Sequence, residues 1–208
     1  MNMHTWWLYC VAVFFFSGIP GPNMLHITMR SIQFGVRQSL PSMLGCMSGL
    51  VSLLIISAAG LGGVMLAFPS LFEVIRYLGI LYLVYLGVKA WRGSDAPFSM
   101  DKDGEHLQMS AWKKIRSAFI ISASNPKMIL FAAAFFPQFI DTSQPQAIQF
   151  LILIFTFVGI ETFWYTVYGF FGSKIAERLI KPRFRRAFNR FTGSLFVAFG
   201  LALLRVKP

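Results

Sequence analysis

Long apolar segments that carry no charge alternate with short basic segments along this chain of 208 residues. No Asp, Glu, Lys or Arg occurs from Met1 to Met29 or from Gln38 to Phe72. A helix of about 20 apolar residues is long enough to cross a lipid bilayer. The pattern therefore predicts an integral membrane protein built from helices.

The apolar segments predict six membrane-spanning helices in two groups of three. The predicted spans cover residues 6–28, 41–68, 71–89, 112–139, 148–171 and 188–204. A polar segment separates the two groups. We therefore expect a first three-helix repeat at 1–91, a cytoplasmic polar loop at 92–110 and a second three-helix repeat at 111–208.

The first helix of each group is interrupted by proline. The first interruption reads Ile19-Pro20-Gly21-Pro22-Asn23, and the second reads Ser124-Asn125-Pro126-Lys127. Proline removes a backbone donor, and the carbonyls that it frees are tolerated in a membrane only where they face protein or a water-filled cavity. Paired interruptions in corresponding halves are typical of the binding site of a secondary transporter.

Basic residues predict the orientation of the helices. Of the 19 Lys and Arg residues, 15 fall in the loops one–two, three–four and five–six. By the positive-inside rule these loops are cytoplasmic and both termini lie outside. The second half is then inverted relative to the first, and the two interrupted helices are expected to meet near the middle of the membrane.

The net charge of +11 also has to be explained. No nucleic-acid-binding motif accompanies it, so we expect attraction to anionic lipids and no binding of nucleic acid.

Glu161 is the acidic residue in the middle of the fifth predicted span. An ionisable group inside a membrane is costly and is a functional hypothesis by default. Glu161 is therefore interpreted as a proton-coupling or substrate-amine site. The alternative is a structural acid that pairs with Lys127 or bonds to Tyr165 or Tyr168.

The polar residues beside the prolines each have two interpretations. Lys127 would meet a substrate carboxylate, pair with Glu161, or extend towards the interface. Asn23 and Asn125 would satisfy freed backbone groups or bind substrate, and the backbone role is favoured.

Glycines recur along the second predicted span. Gly45, Gly49 and the run Gly60, Gly62 and Gly63 predict close helix packing, which permits a homodimer.

Enzyme motifs are absent from the sequence. The chain has no metalloprotease, hydrolase or phosphate-binding motif, so we expect no enzyme, no cofactor and no metal. Any active transport would then be driven by an ion gradient. A membrane-embedded enzyme and a non-transporting scaffold are the least favoured alternatives.

Several motifs resemble the LysE/RhtB family of bacterial amino-acid exporters. Besides the two proline motifs, the resemblance rests on Arg76-Tyr77-Leu78-Gly79, on Tyr82-Leu83-Val84-Tyr85-Leu86-Gly87, on Phe135-Phe136-Pro137-Gln138-Phe139-Ile140 and on the acid Glu161. It covers the whole chain in order.

The resemblance implies a multi-pass exporter in the bacterial inner membrane that works by proton antiport. It implies a substrate such as threonine, homoserine, homoserine lactone, leucine or lysine. Its site would comprise Pro20, Gly21, Pro22, Asn23, Asn125, Pro126, Lys127 and Glu161. Some members carry an Asp where this chain has Leu50, which favours a neutral amino acid. Export of a cationic amino acid or another small solute is the alternative.

Overall fold

Helices make up the regular structure of the part of the chain that the computed structural model describes, which is residues 1–67, 69–92, 109–141, 143–180 and 182–205. No strand occurs in these residues. The helices are α1 (Met3–Gly18), α2 (Pro22–Phe34), α3 (Val36–Ala67), α4 (Pro69–Arg92), α5 (Ala111–Ala123), α6 (Pro126–Leu130), α7 (Gln146–Ile180) and α8 (Pro182–Arg205). A π-helical turn, Phe131–Phe135, and a 3-10 turn, Phe136–Phe139, continue α6.

Up to four parts of the described chain are long and apolar enough to cross a membrane. Two are parts of single helices, Val36–Gly60 in α3 and Gln146–Gly172 in α7. The other two are helix pairs that bend by 53° between α1 and α2 and by 55° between α5 and the segment that begins with α6. The predicted interruptions in spans one and four are thus confirmed as bends. Spans three and six correspond to α4 and α8, and their crossing stays a prediction.

Two helix boundaries differ from the predicted ones. α7 continues to Ile180 and α8 begins at Pro182, so the basic segment expected to link spans five and six is largely helical. The apolar pattern ends where a helix leaves the membrane, but residues with good helix propensity continue the helix beyond that point. Pro182 is the first residue of α8, a position where the missing N–H costs nothing.

Glycines allow α3 to lie directly against α5. A Cβ on Gly45 would overlap the carbonyl oxygen of Ile115, and one on Gly49 would lie 2.7 Å from that of Phe119. Close packing is therefore confirmed for this pair. The prediction of close packing is wrong for Gly60, because no atom lies within 4 Å of the position that its Cβ would take. The predicted positions Gly62 and Gly63 lie outside the residues whose side-chain surroundings are described.

A turn between the second bend and α7 fixes where α7 begins. The side chain of Gln149 accepts from the N–H of Asp141 at 2.9 Å and donates to its carbonyl at 2.9 Å. The hydroxyl and N–H of Ser143 donate to the Asp141 carboxylate and hold its pKa below the usual value. The amino group of Met1 lies 4.0 Å from the same carboxylate. This turn sets the register of α7 and with it the position of Glu161.

An aromatic core surrounds the two bent segments. Tyr9 on α1 is fully buried, and its hydroxyl donates to the carbonyl of Leu153 on α7 at 3.1 Å. Phe131 stacks between Phe16 and Phe157, with ring centroids 4.6 Å and 4.8 Å away. These rings pack α1, α7 and the second bend together on one side of the polar site.

Candidate functional site

The two proline-interrupted segments meet through a direct hydrogen bond between their asparagines. The amide nitrogen of Asn125 donates to the amide oxygen of Asn23 at 3.0 Å. The amide nitrogen of Asn23 donates in turn to Ser122 Oγ at 2.9 Å and to the Tyr165 hydroxyl at 3.4 Å. Both asparagines are almost completely buried. We call this contact the asparagine junction.

Local sequence explains why the two asparagines bond to different kinds of partner. Asn125 precedes Pro126 as the N-cap of α6, and its side-chain oxygen accepts from the N–H of Lys127 at 3.0 Å. Asn23 lies inside α2, which is capped at its N-terminus by Gly21 without a side-chain bond. Asn125 therefore bonds to a backbone N–H as well as to Asn23, whereas Asn23 bonds to side chains. Substrate binding by either asparagine stays a prediction.

The first break leaves carbonyl groups at the end of α1, and side chains from other helices satisfy them. Pro22 has no N–H for the carbonyl of Gly18 four residues earlier, and the Tyr168 hydroxyl donates to that carbonyl at 2.8 Å. The ammonium group of Lys127 donates to the carbonyl of Ile19 at 2.8 Å. A cation at the C-terminal end of a helix is also favoured by the helix dipole.

Lys127 is held in place on several sides. Its side chain is mostly buried, with the ammonium nitrogen 4.4 Å from the centre of the Phe16 ring. A Cβ on Gly21 would lie 3.3 Å from Lys127 Cδ, so the glycine of the first break gives the lysine room. Pro20, Gly21 and Pro22 thus shape the backbone around a cation that the second break supplies.

The π-helical turn that follows α6 also has a carbonyl group that is satisfied by another helix. Pro137 has no N–H for the carbonyl of Ala132 five residues earlier. The hydroxyl of Ser57 on α3 donates to that carbonyl. The first break and the π-helical turn are therefore each stabilised by side-chain donors from other helices, as expected for irregular backbone that does not face lipid.

Glu161 completes the site from α7. It is fully buried, and neither carboxylate oxygen has a hydrogen-bond partner among the described residues. Tyr165 and Ser17 present hydroxyls towards its carboxylate, and the Ser17 hydroxyl is likewise without a hydrogen-bond partner. Of the two tyrosines named in the predicted alternative, Tyr165 thus lies beside Glu161, while Tyr168 bonds to the backbone of α1.

Spacing on α7 explains why these groups converge. Glu161, Tyr165 and Tyr168 are separated by four and three residues, so they share one face of the helix. The exposed neighbours Thr162 and Phe163 face away from the site. One helix thus provides a carboxyl group to the site and hydroxyl groups to the end of α1 and to Asn23.

The chemistry of this arrangement is complementary to a zwitterion. Lys127 offers a positive charge to a carboxylate, and Glu161 offers a negative charge to an ammonium group. A buried carboxyl without hydrogen bonds either carries a proton or needs a cation beside it, because an unpaired buried charge costs several kcal/mol. The described residues include no group of three His, Cys, Asp or Glu side chains that could hold a metal ion.

Two polar residues of the site escaped the sequence interpretation, Ser17 and Ser122. Each is a small hydroxyl residue one turn before a break proline, three residues before Pro20 and four before Pro126. That shared spacing is the signal that would have found them.

The chain is similar over its whole length to known translocators. A family model described as LysE type translocator matches residues 14–207. The homoserine/homoserine lactone efflux protein of Salmonella typhimurium is 31% identical over 207 residues, which cover 100% of this chain and 99% of that protein. The leucine efflux protein of an Enterobacter species is 31% identical over 202 residues, which cover 96% and 94% of the two chains. An uncharacterised membrane protein of Vibrio cholerae is 30% identical over 207 residues and matches both chains completely. No solved structure matches this chain.

Proposed function

This chain belongs to the LysE type translocator family, and from that premise we propose that it exports a small neutral amino acid, or a derivative of one, across the bacterial inner membrane. The observation that carries the proposal is the burial of Lys127 and Glu161 at the junction of two broken helices. Relatives named for homoserine, homoserine lactone and leucine efflux support this substrate class.

The packing of the helices supports two inverted three-helix repeats. α3 from the first repeat packs on α5 of the second, while α7 from the second repeat packs on α1 and α2 of the first. α4 and α8, the third helix of each repeat, pack on one another. We propose six spans on this basis, with α4 and α8 as the third and sixth, cytoplasmic basic loops and both termini outside.

Substrate binding is proposed to release Lys127 from the backbone of α1. The carboxylate of an amino acid would replace the carbonyl of Ile19 as the partner of the ammonium group. The amide groups of the asparagine junction would contact the same carboxylate or a side-chain hydroxyl. Because the end of α1 then loses its cation, binding at Lys127 would be coupled to movement at the first break.

Proton antiport is proposed to run through Glu161. A carboxyl that gives up its proton becomes a partner for the substrate's ammonium group, and one that takes up a proton releases it. Leu50 on α3 is fully buried among apolar side chains. Glu161 is thus left as the carboxyl of the described site, which favours a neutral amino acid over a cationic one.

The experiment that tests this proposal measures labelled amino acids in energised inverted membrane vesicles. Threonine, homoserine and leucine test the neutral class, and lysine tests the cationic alternative. We expect uptake of at least one neutral amino acid that collapses with the pH gradient. No uptake of any amino acid by folded protein would refute the proposal.

Substitution of Glu161 tests the coupling role directly. We expect Glu161→Gln to lower uptake driven by the pH gradient at least tenfold, because the amide cannot carry a proton, an effect of about 1.4 kcal/mol or more. The exposed neighbour Thr162→Ala is the matched control and should transport normally. Uptake by Glu161→Gln with the same dependence on the pH gradient as the unaltered protein would exclude Glu161 as the coupling group.

A further inference from the structure

Two buried cations lie beside the same aromatic ring, at the end of α2 away from the asparagine junction. The Arg30 side chain is 5% exposed and that of Lys114 on α5 is 8% exposed. The guanidinium carbon of Arg30 lies 5.6 Å from the centre of the Phe34 ring, and the ammonium nitrogen of Lys114 lies 6.0 Å from it. We call these two residues the Arg30–Lys114 pair.

Neither cation has a carboxylate partner among the described residues. Nη1 of Arg30 is buried and forms no hydrogen bond, and Nη2 meets only the weak acceptor Sδ of Met109, 3.9 Å away. The ammonium group of Lys114 donates to the side-chain oxygen of Gln38 at 3.2 Å. Buried charges are normally paired, and two like charges beside one ring also repel each other. An anion at this position would offset both costs.

Buried hydroxyl groups extend from the pair towards the asparagine junction. Ser31 on α2 donates to Ser39 on α3 at 2.8 Å. Thr28 and Ser42 lie one turn closer to the junction on the same two helices, and their buried hydroxyls have no hydrogen-bond partner. Met24 then separates Thr28 from the junction, since Met24, Thr28 and Ser31 share a face of α2.

Resting on the proposed function, we propose that the Arg30–Lys114 pair is a second binding site, which holds the substrate's carboxylate before the substrate reaches the asparagine junction. A guanidinium group with a free donor matches a carboxylate well. The hydroxyls of Thr28 and Ser42 provide acceptors for the ammonium group as it moves along α2. Arg30 lies seven residues from Asn23, roughly 10 Å along the helix axis, so one small amino acid occupies the two sites in succession.

Direct binding tests the site without relying on transport. Acetate, homoserine and leucine serve as carboxylate probes, and inorganic phosphate stands for a lipid headgroup. In thermal unfolding of the purified full-length protein, we expect acetate to raise the unfolding temperature relative to chloride. The increase should disappear in Arg30→Gln and in Lys114→Gln. It should persist in Arg37→Gln, which removes an exposed cation close by in the sequence.

Two results of the binding experiment would overturn the proposal. Stabilisation by phosphate alone would identify a headgroup or inorganic-anion site. Acetate stabilisation that survives in both Arg30→Gln and Lys114→Gln would place the anion elsewhere.

Transport kinetics test whether the substrate uses this site. We expect Arg30→Gln to raise the KM for uptake into inverted vesicles about tenfold, the effect of losing one charge-assisted hydrogen bond. Vmax should stay within about twofold, and Arg30→Lys should recover part of the affinity. An unchanged KM in a transporting Arg30→Gln protein would overturn the second site and leave the proposed function standing. If the unaltered protein transports no amino acid, the proposed function fails, and the acetate experiment still decides whether the pair binds a carboxylate.

Discussion

At the scale of single residues, the sequence indicated which side chains matter better than it indicated what they bond to. Asn23 and Asn125 occupy similar places beside proline, yet only Asn125 caps a helix. The difference depends on one position: Asn125 precedes its proline and Asn23 follows one. The bond between them joins residues 102 positions apart, and no local pattern specifies such a contact.

The asparagine junction predicts measurable coupling between the two breaks. Asn23→Ala and Asn125→Ala should each lower the free energy of unfolding by about 1–2 kcal/mol, because each leaves buried polar groups without partners. The double variant should lose about 1 kcal/mol less in the free energy of unfolding than the two single variants lose together, since the shared bond is lost only once. Unfolding in mixed micelles with increasing SDS measures these values.

Two residues that do not contact each other provide the control for this double-mutant cycle. Asn125→Ala combined with Ser52→Ala should be additive within about 0.5 kcal/mol, because the half-buried Ser52 bonds to its own helix at Ser48. Full additivity of Asn23→Ala with Asn125→Ala would mean that the junction does not couple the breaks.

At the scale of helices, periodicity and proline predicted the existence of the elements, while packing decided the role of each glycine. Gly45, Gly49 and Gly60 lie on the same helix and are equivalent as sequence. In the structure, the first two contact the backbone of α5 and Gly60 has open space. The identity of the partner helix is long-range information, so sequence spacing alone could not separate the three.

This difference predicts opposite effects of one substitution within α3. Gly45→Ala and Gly49→Ala should lower the free energy of unfolding by about 1–3 kcal/mol, because the new methyl group overlaps α5. Gly60→Ala is the matched control and should raise it by up to about 1 kcal/mol, since alanine is the better helix former. Thermal unfolding in detergent measures the order of stability of the three variants. A loss of stability in Gly60→Ala equal to that in Gly45→Ala would contradict the packing argument.

At the scale of the whole molecule, the sequence predicted the bends and the class of membrane protein. It predicted the number of membrane crossings less firmly. In the described residues, up to four of the six predicted spans are long and apolar enough to cross a membrane, when each bent pair is counted as one span. α4 and α8 have 24 residues each, about 36 Å at 1.5 Å per residue, and the apolar part of a bilayer is about 30 Å thick. Length thus permits them to cross, while the Arg residues in the first half of α8 reduce its apolar character. Their crossing depends on the loop charges and on the packing of α4 against α8.

Reaction of introduced cysteines with a membrane-impermeant maleimide decides between four and six crossings. In a background of Cys10→Ala and Cys46→Ala, the probes are Asn2→Cys, Arg37→Cys, Ser110→Cys and Ser143→Cys, four exposed positions. Six crossings predict that Asn2→Cys and Ser143→Cys react in intact cells, and that Arg37→Cys and Ser110→Cys react only after permeabilisation. If α4 does not cross, Arg37 and Ser110 lie on opposite sides of the membrane, and so do Asn2 and Ser143. Where Ser110→Cys shows that α4 crosses, Lys207→Cys extends the test to α8, because the C-terminus is then outside only if α8 also crosses. Equal reactivity of Ser110→Cys and Asn2→Cys in intact cells would therefore rule out the inverted repeat, and with it the entry of the two breaks from opposite faces of the membrane.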